Sequence, residues 1–160
     1  MLYLVKRKER LNEEEAMQYA LRSLGRRMQT RRELLEKLRR RTTEEIAAAV
    51  VARLQEWGYL DDAAYAEAFI RGHQQRWGSQ RIAAELRRRG VGEEIIRSQL
   101  QASENSEEER ALQLLVKSQW RHKGEKPRMV RFLQGRGFGL STAIAAAEEY
   151  LKLRQSEENG

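Results

Sequence analysis

Apolar residues recur along this chain at i, i+3 and i+4, which is the spacing of one face of a helix, and nowhere in the strict alternation of a half-buried strand. Ala16, Tyr19, Ala20 and Leu24 fall on one side of a first predicted helix, and Tyr65, Ala66, Phe69, Ile70 and His73 on one side of a later one. The pattern also repeats over a longer range. Leu38, Leu86 and Leu133 lie 48 and 47 residues apart, and Leu34, Ile82 and Met129 keep the same interval four residues upstream, on the same helical face. Ile46, Ile95 and Ile144 follow at intervals of 49. Three arginine-rich helices are therefore each followed by another short helix with an apolar face.

Capping residues divide each period into three helices. Asn12 with Glu15 forms a capping box for a helix from Glu13 to Arg27, Thr30 caps a second helix, and Thr43 a third that runs to Trp57. Asp61 and Asp62 open a helix extending to Trp77, Ser79 caps the next, and Gly90 and Gly92 interrupt the chain before Glu93 to Gln101. The third set starts near Ser106, places Pro127 in the first turn of its middle helix and uses Ser141 as the last cap. The expectation is an all-α protein of three tandem three-helix, helix-turn-helix-like repeats in an elongated, curved array, since units this small bury little apolar area alone and must dock on one another. The boundaries read as a flexible basic arm at 1–12, repeats at 13–60, 61–102 and 103–154, and a disordered tail at 155–160.

Composition agrees with helix: one proline in 160 residues, and many Ala, Leu, Arg, Glu and Gln. No cysteine is present, which removes disulfides and thiolate chemistry and fits a reducing compartment. No apolar run approaches the length needed to cross a bilayer, so a cytoplasmic protein is expected. The two histidines, His73 and His122, stand far apart and outside any metal-ligand spacing, and His122 reads as part of an exposed basic turn. Asp61 and Asp62 suit helix capping better than acid–base chemistry, and Gly135, Gly137 and Gly139 follow a helix rather than a strand. No catalytic group, metal site or cofactor is expected. Trp57, Trp77 and Trp120, near helix ends, read first as core anchors and second as base-stacking platforms. Tyr59 and Leu60 are expected to plug the junction between the first two repeats.

The formal charge of +7 is distributed unevenly. Thr30–Arg41 has six basic residues against two acidic, Ser79–Gly90 four against one, and Lys126–Gly137 four against none, so the remainder of the chain is net acidic. Arginines at helix C-termini offset the helix dipole, but three in a row exceed that need. The alternative is a basic stripe for a polyanion. Base-reading Asn and Gln are nearly absent from these helices, Gln80 and Gln134 excepted, which favours backbone or acidic-surface contact over sequence readout.

The segment WGYLDDAAYAEAFIRGHQQRWGSQRIAAELRRRGV, Trp57 to Val91, closely resembles the central signature of the RecX family: a GYLDD-type element, an aromatic-rich helix, a Gly-x-x-Arg-Ile turn and a Leu-Arg-x-Lys/Arg-Gly-Val ending. Tyr19–Arg41 and Arg128–Phe138 resemble it less sharply, and about 120 residues are covered. Thr42 and Thr43 stand where the family often has a glycine turn, and Gly135 sits inside the third basic helix. The resemblance implies a monomeric, non-enzymatic bacterial regulator that binds the RecA filament on single-stranded DNA, with double-stranded DNA as a further target and no membrane. It would restrain ATP hydrolysis, strand exchange and the co-protease function behind the SOS response. The residues that would carry the contact are Arg31, Arg32, Arg39, Arg40 and Arg41; Arg71, Arg76, Arg81, Arg87, Arg88 and Arg89; and Lys126, Arg128, Arg131 and Arg136. A sequence-independent DNA-binding protein acting without RecA is the other reading.

Overall fold

A computed structural model describes residues 10–103 and 105–160, and among them every regular element is helical. The order is α1 (Glu13–Arg26), α2 (Arg31–Arg39), α3 (Glu44–Glu56), α4 (Asp62–His73), α5 (Ser79–Arg88), α6 (Glu93–Gln101), α7 (Glu107–Lys117), α8 (Gln119–His122), α9 (Lys126–Gly135) and α10 (Leu140–Glu158). The chain divides into two compact units. One ends at Tyr65 and takes in Arg89–Val91; the other comprises Ala66–Arg88 and Gly92–Gly160.

The local capping signals act where the side chain can reach its own helix. Asn12 and Glu15 close a reciprocal capping box on α1. Thr30, Thr43 and Ser106 each accept from the backbone N–H three residues on. Replacing such a cap by Ala typically costs about 1 kcal/mol. The three in-phase pairs Leu34 and Leu38, Ile82 and Leu86, and Met129 and Leu133 are all fully buried. In the first unit Ala16, Ala20, Leu34, Leu38, Val50, Val51 and Leu54 form one core. In the second, Leu114, Leu115, Met129, Leu133, Phe138 and the alanine face of α10 form another.

Several expectations are corrected. α4 ends at His73, not Trp77, because the carbonyls of Gln74 and Trp77 turn to the Arg110 guanidinium instead of continuing the helix. Ser79 is not a cap but lies in the first turn of α5, and Ser141 lies inside α10, whose N-cap is Gly139. The third set holds four helices, since α8 intervenes between α7 and α9. Residues 155–158 are not a disordered tail: nothing in Gln155–Glu158 breaks a helix, and Arg154 pairs with Glu158 one turn on. Within the expected arm, Leu11 is anchored: its N–H donates to Arg41 O at 2.9 Å and its carbonyl accepts from Thr42 Oγ1 at 2.6 Å. Residues 1–9 of that arm lie outside the described residues.

His122 is fully buried rather than in an exposed turn; it bonds Leu115 O through Nε2 and Gly124 N through Nδ1. Trp57 and Trp120 are not core anchors but 51% and 71% exposed. Leu60 is buried as expected, whereas Tyr59 is exposed.

Candidate interface for an anionic partner

The N-termini of the basic helices α2 and α5 are held by a joint of the same design. A helix begins with N–H groups that have no intrahelical acceptor, and each joint supplies acceptors from a distant part of its unit. In the first unit Arg31 N donates to Asp62 Oδ1 at 2.9 Å, and Thr30 Oγ1 donates to Arg89 O at 2.6 Å. In the second unit Ser79 N donates to Glu107 Oε1 at 3.0 Å, Gly78 N to Arg136 O at 2.8 Å and Gln80 N to Gly137 O at 3.1 Å. A carboxylate from the first turn of a following helix thus caps each basic helix, where the helix dipole favours negative charge. The turn glycine is obligatory in both joints. Gly90 and Gly137 have φ of +94° and +93°, and a Cβ on either would lie under 3.0 Å from the Cβ of Arg32 or Arg81 respectively.

The fifteen basic residues singled out from sequence separate into groups once their partners are seen. Seven pair with carboxylates of their own surface. Arg39 clasps Glu44 with two bonds of 2.7 and 2.8 Å, and Arg87 clasps Glu93 likewise. Arg32 pairs with Glu36, Arg71 with Glu67, Arg88 with Glu85, Lys126 with Glu148 and Arg128 with Glu125. The hydrogen bonds from Arg39 and Arg87 hold the Glu44 and Glu93 carboxyls below the usual range. Arg89 donates to Tyr65 Oη at 2.7 Å, among its interactions, and Arg31 to Gln55 Oε1 at 3.3 Å. Burial raises the Tyr65 hydroxyl above its usual range, a shift the Arg89 hydrogen bond opposes.

The remaining six have no ion pair among the described residues. Arg40 and Arg41 close α2, with Arg41 over the Tyr19 ring at 4.9 Å. Arg131 reaches only Pro127 O at 3.5 Å. Arg76, Arg81 and Arg136 lie on the segments that cross where Gly78 meets Gly137, and Arg76 and Arg81 are exposed. Arg136 rests over Phe132 at 5.1 Å. Arg81 ends a stack of side chains spaced four residues apart: Phe69 and His73 are 4.1 Å between centroids, His73 and Trp77 4.4 Å, and the Arg81 guanidinium lies 4.1 Å over Trp77. The Trp77 ring is thus engaged by both His73 and the Arg81 guanidinium, and it supports a cation.

Arg110 was not singled out from sequence, and it builds this region. It is 6% exposed, donates to Gln74 O, Trp77 O and Ser79 Oγ, and leaves Nε without a hydrogen-bond partner. Burial pulls its pKa down, partly opposed by Glu107. Its signal lay in the repeat itself: an arginine three residues into α7 after Glu107 matches Tyr65 three residues after Asp62, a position that faces inward. Trp57 and Trp120 also carry arginines on one face, Arg53 at 4.8 Å and Arg121 at 4.7 Å. Among the described residues no group of three or more His, Cys, Asp or Glu is placed to hold a metal, and no helix is long and apolar enough to cross a membrane.

Residues 16–54 match the family described as RecX, first three-helix domain, and residues 61–100 match RecX, second three-helix domain. The regulatory protein RecX of Thermus thermophilus is 41% identical over 146 residues, covering 91% of this chain and 96% of that protein. The regulatory protein RecX of Deinococcus radiodurans is 37% identical over 151 residues, covering 91% and 72%. The crystal structure of RecX from Lactobacillus salivarius superposes with a TM-score of 0.78 over 88% of this chain and 97% of that one, at 21% identity, a likeness of fold. A second crystal structure, of a regulatory protein RecX, gives a TM-score of 0.74 at 25% identity, covering 85% and 73%. Helices, signature and relatives agree over nearly the whole chain, which belongs to the RecX family of regulatory proteins.

Proposed function

We propose that this chain is a non-enzymatic negative regulator of RecA that binds the RecA–DNA filament and lowers its ATP hydrolysis, strand exchange and co-protease activity. On this reading it works as a monomer in the bacterial cytoplasm without a cofactor, and its modules are 13–60, 61–102 and 103–154. The observation that carries the reading, beside family membership, is that Arg76, Arg81 and Arg136 lie together on the crossing segments at Gly78 and Gly137 without carboxylate partners. Arginines already clasped by Glu44 or Glu93 must exchange one partner for another, whereas these three gain contacts outright. The Arg81 fork, propped on Trp77, also loses less rotamer freedom on binding.

The test is the steady-state rate of single-strand-dependent ATP hydrolysis by RecA from the same organism, titrated with this protein at two salt concentrations. A fall at protein levels well below RecA supports the reading; no fall with tight binding to bare DNA replaces it with sequence-independent DNA coating. Exposed Trp57 and Trp120 beside arginines favour that second reading, because single strands stack bases on such platforms.

A further inference from the structure

Between Leu115 and Met129, both fully buried, the chain runs through residues 116–128 with His122 as their one buried side chain. Val116, Trp120 and Arg121 are exposed, as are most of their neighbours in this stretch, which carries α8 and the turn into α9. The imidazole therefore acts as a single peg. Its Nε2 donates to Leu115 O at 2.8 Å, its Nδ1 accepts from the Gly124 N–H at 3.0 Å, and its ring meets Tyr150 of α10 edge to face with centroids 5.0 Å apart. These partners fix the protonation state, because a carbonyl can only accept and a backbone N–H can only donate. The ring is neutral, with its proton on Nε2 and its nitrogen lone pair already engaged.

A proton on Nδ1 would displace the Gly124 N–H and leave a buried cation facing a donor. No carboxylate bonds the ring among the described residues. Around it α7 ends in Lys117, α8 contributes Arg121, the turn contributes Lys123, and α10 contributes Tyr150 and Arg154, whose guanidinium a Cβ on Gly124 would strike. Of the carboxylates on these elements and on α9, Glu125 pairs with Arg128 and Glu148 with Lys126, while Glu157 shares a groove with Lys123 and Arg154. Lys123 is moreover held at φ of +53°, a left-handed conformation that L side chains rarely adopt. Since no other side chain of 116–128 is buried, the stretch can open locally while exposing little apolar area.

We propose that His122 is a proton-operated latch for residues 116–128: the neutral ring docks α8, and protonation at Nδ1 releases it together with Trp120 and Arg121. The released state binds one proton more than the docked state. Docking is therefore whole above the ordinary histidine range and weakens as pH falls below about 6.5, by up to about tenfold in the docked-to-released ratio per pH unit. His73 and His122 are the only histidines, so the step can be assigned. The experiment follows the ¹H–¹⁵N signals of the full chain between about pH 8 and about pH 5. Backbone signals of Gln119, Trp120 and Gly124 should change in one step in the wild type and in His73→Gln, while those of Leu34 and Leu38 stay fixed, and the step should be absent from His122→Gln. No step in the wild type, a step that survives His122→Gln, or a step at which every signal of the second unit is lost together overturns the latch. Where His122→Gln does not fold, the wild-type imidazole ¹⁵N signals decide: the Nε2–H pattern of His122 must give way to the doubly protonated one at the midpoint of the Trp120 step, and separate midpoints overturn the proposal.

Discussion

Gly78 and Gly137 meet backbone to backbone: Gly78 N–H donates to the carbonyl of the neighbouring Arg136 at 2.8 Å, and a Cβ on Gly78 would lie under 3.0 Å from the Gly137 carbonyl. This contact brings the start of α5 against the turn after α9 and so collects Arg76, Arg81 and Arg136 on two crossing segments. No side chain larger than hydrogen permits it.

Gly137→Ala should destabilise the protein by about 2–4 kcal/mol, combining a left-handed backbone with a clash against Arg81. Gly58→Ala, at φ of +82° but with open space around it, should cost only about 1 kcal/mol. Urea unfolding of the two variants separates strain from collision; equal costs would show that the crossing is not close-packed.

Arg110→Ala should cost about 3 kcal/mol, because the carbonyls of Gln74 and Trp77 and the Ser79 hydroxyl lose their shared donor in a buried setting. Hydrogen exchange should quicken at the Gly78 and Gln80 amides in particular. Protection that falls evenly over the whole unit would mean Arg110 supports the fold without shaping the crossing.

Arg81→Ala should weaken filament binding about tenfold and lower the salt slope by about one, whereas Arg87→Ala should cost less than about threefold. The difference follows from Arg87 being held by Glu93 while Arg81 has no ion pair among the described residues. Fluorescence anisotropy at several salt concentrations gives both quantities, and indistinguishable variants would remove the crossing from the interface.

Glu44 and Glu93 have folded-state pKa values lowered by their arginines. Their contribution to stability is therefore whole above the ordinary glutamate range and is lost as pH falls through the lowered one. The midpoint of thermal unfolding of Glu93→Gln should lie slightly below wild type at neutral pH and converge with it in acid. Both pairs are exposed, so the gap should be small, and a gap that persists in acid would point to a cause other than the ion pair.

Much was legible in the sequence because its causes are local or periodic. Asn12, Thr30, Thr43 and Ser106 cap their own helices within three residues, and the phase of Leu34, Ile82 and Met129 reports burial because the same helical face must turn inward each time. Ser79 looked like a cap of the same kind, yet its N–H is met by Glu107, 28 residues away. His122 and Trp120, two residues apart, went opposite ways: one fully buried against Leu115 and Tyr150, the other 71% exposed. Composition cannot separate them, since burial there depends on the turn at Lys123 and Gly124.

By itself the sequence determined an all-helical chain, the positions of most helix ends, the buried apolar rows and the membership in a family, because these follow from side-chain periodicity and from bonds made within a turn. Only the tertiary structure decided which of fifteen similar basic residues are clasped by their own carboxylates and which are not. That choice depends on which residues distant in sequence come within about 4 Å of one another, and at Gly78 and Gly137 on the absence of a Cβ from two backbones that the chain separates by 59 residues.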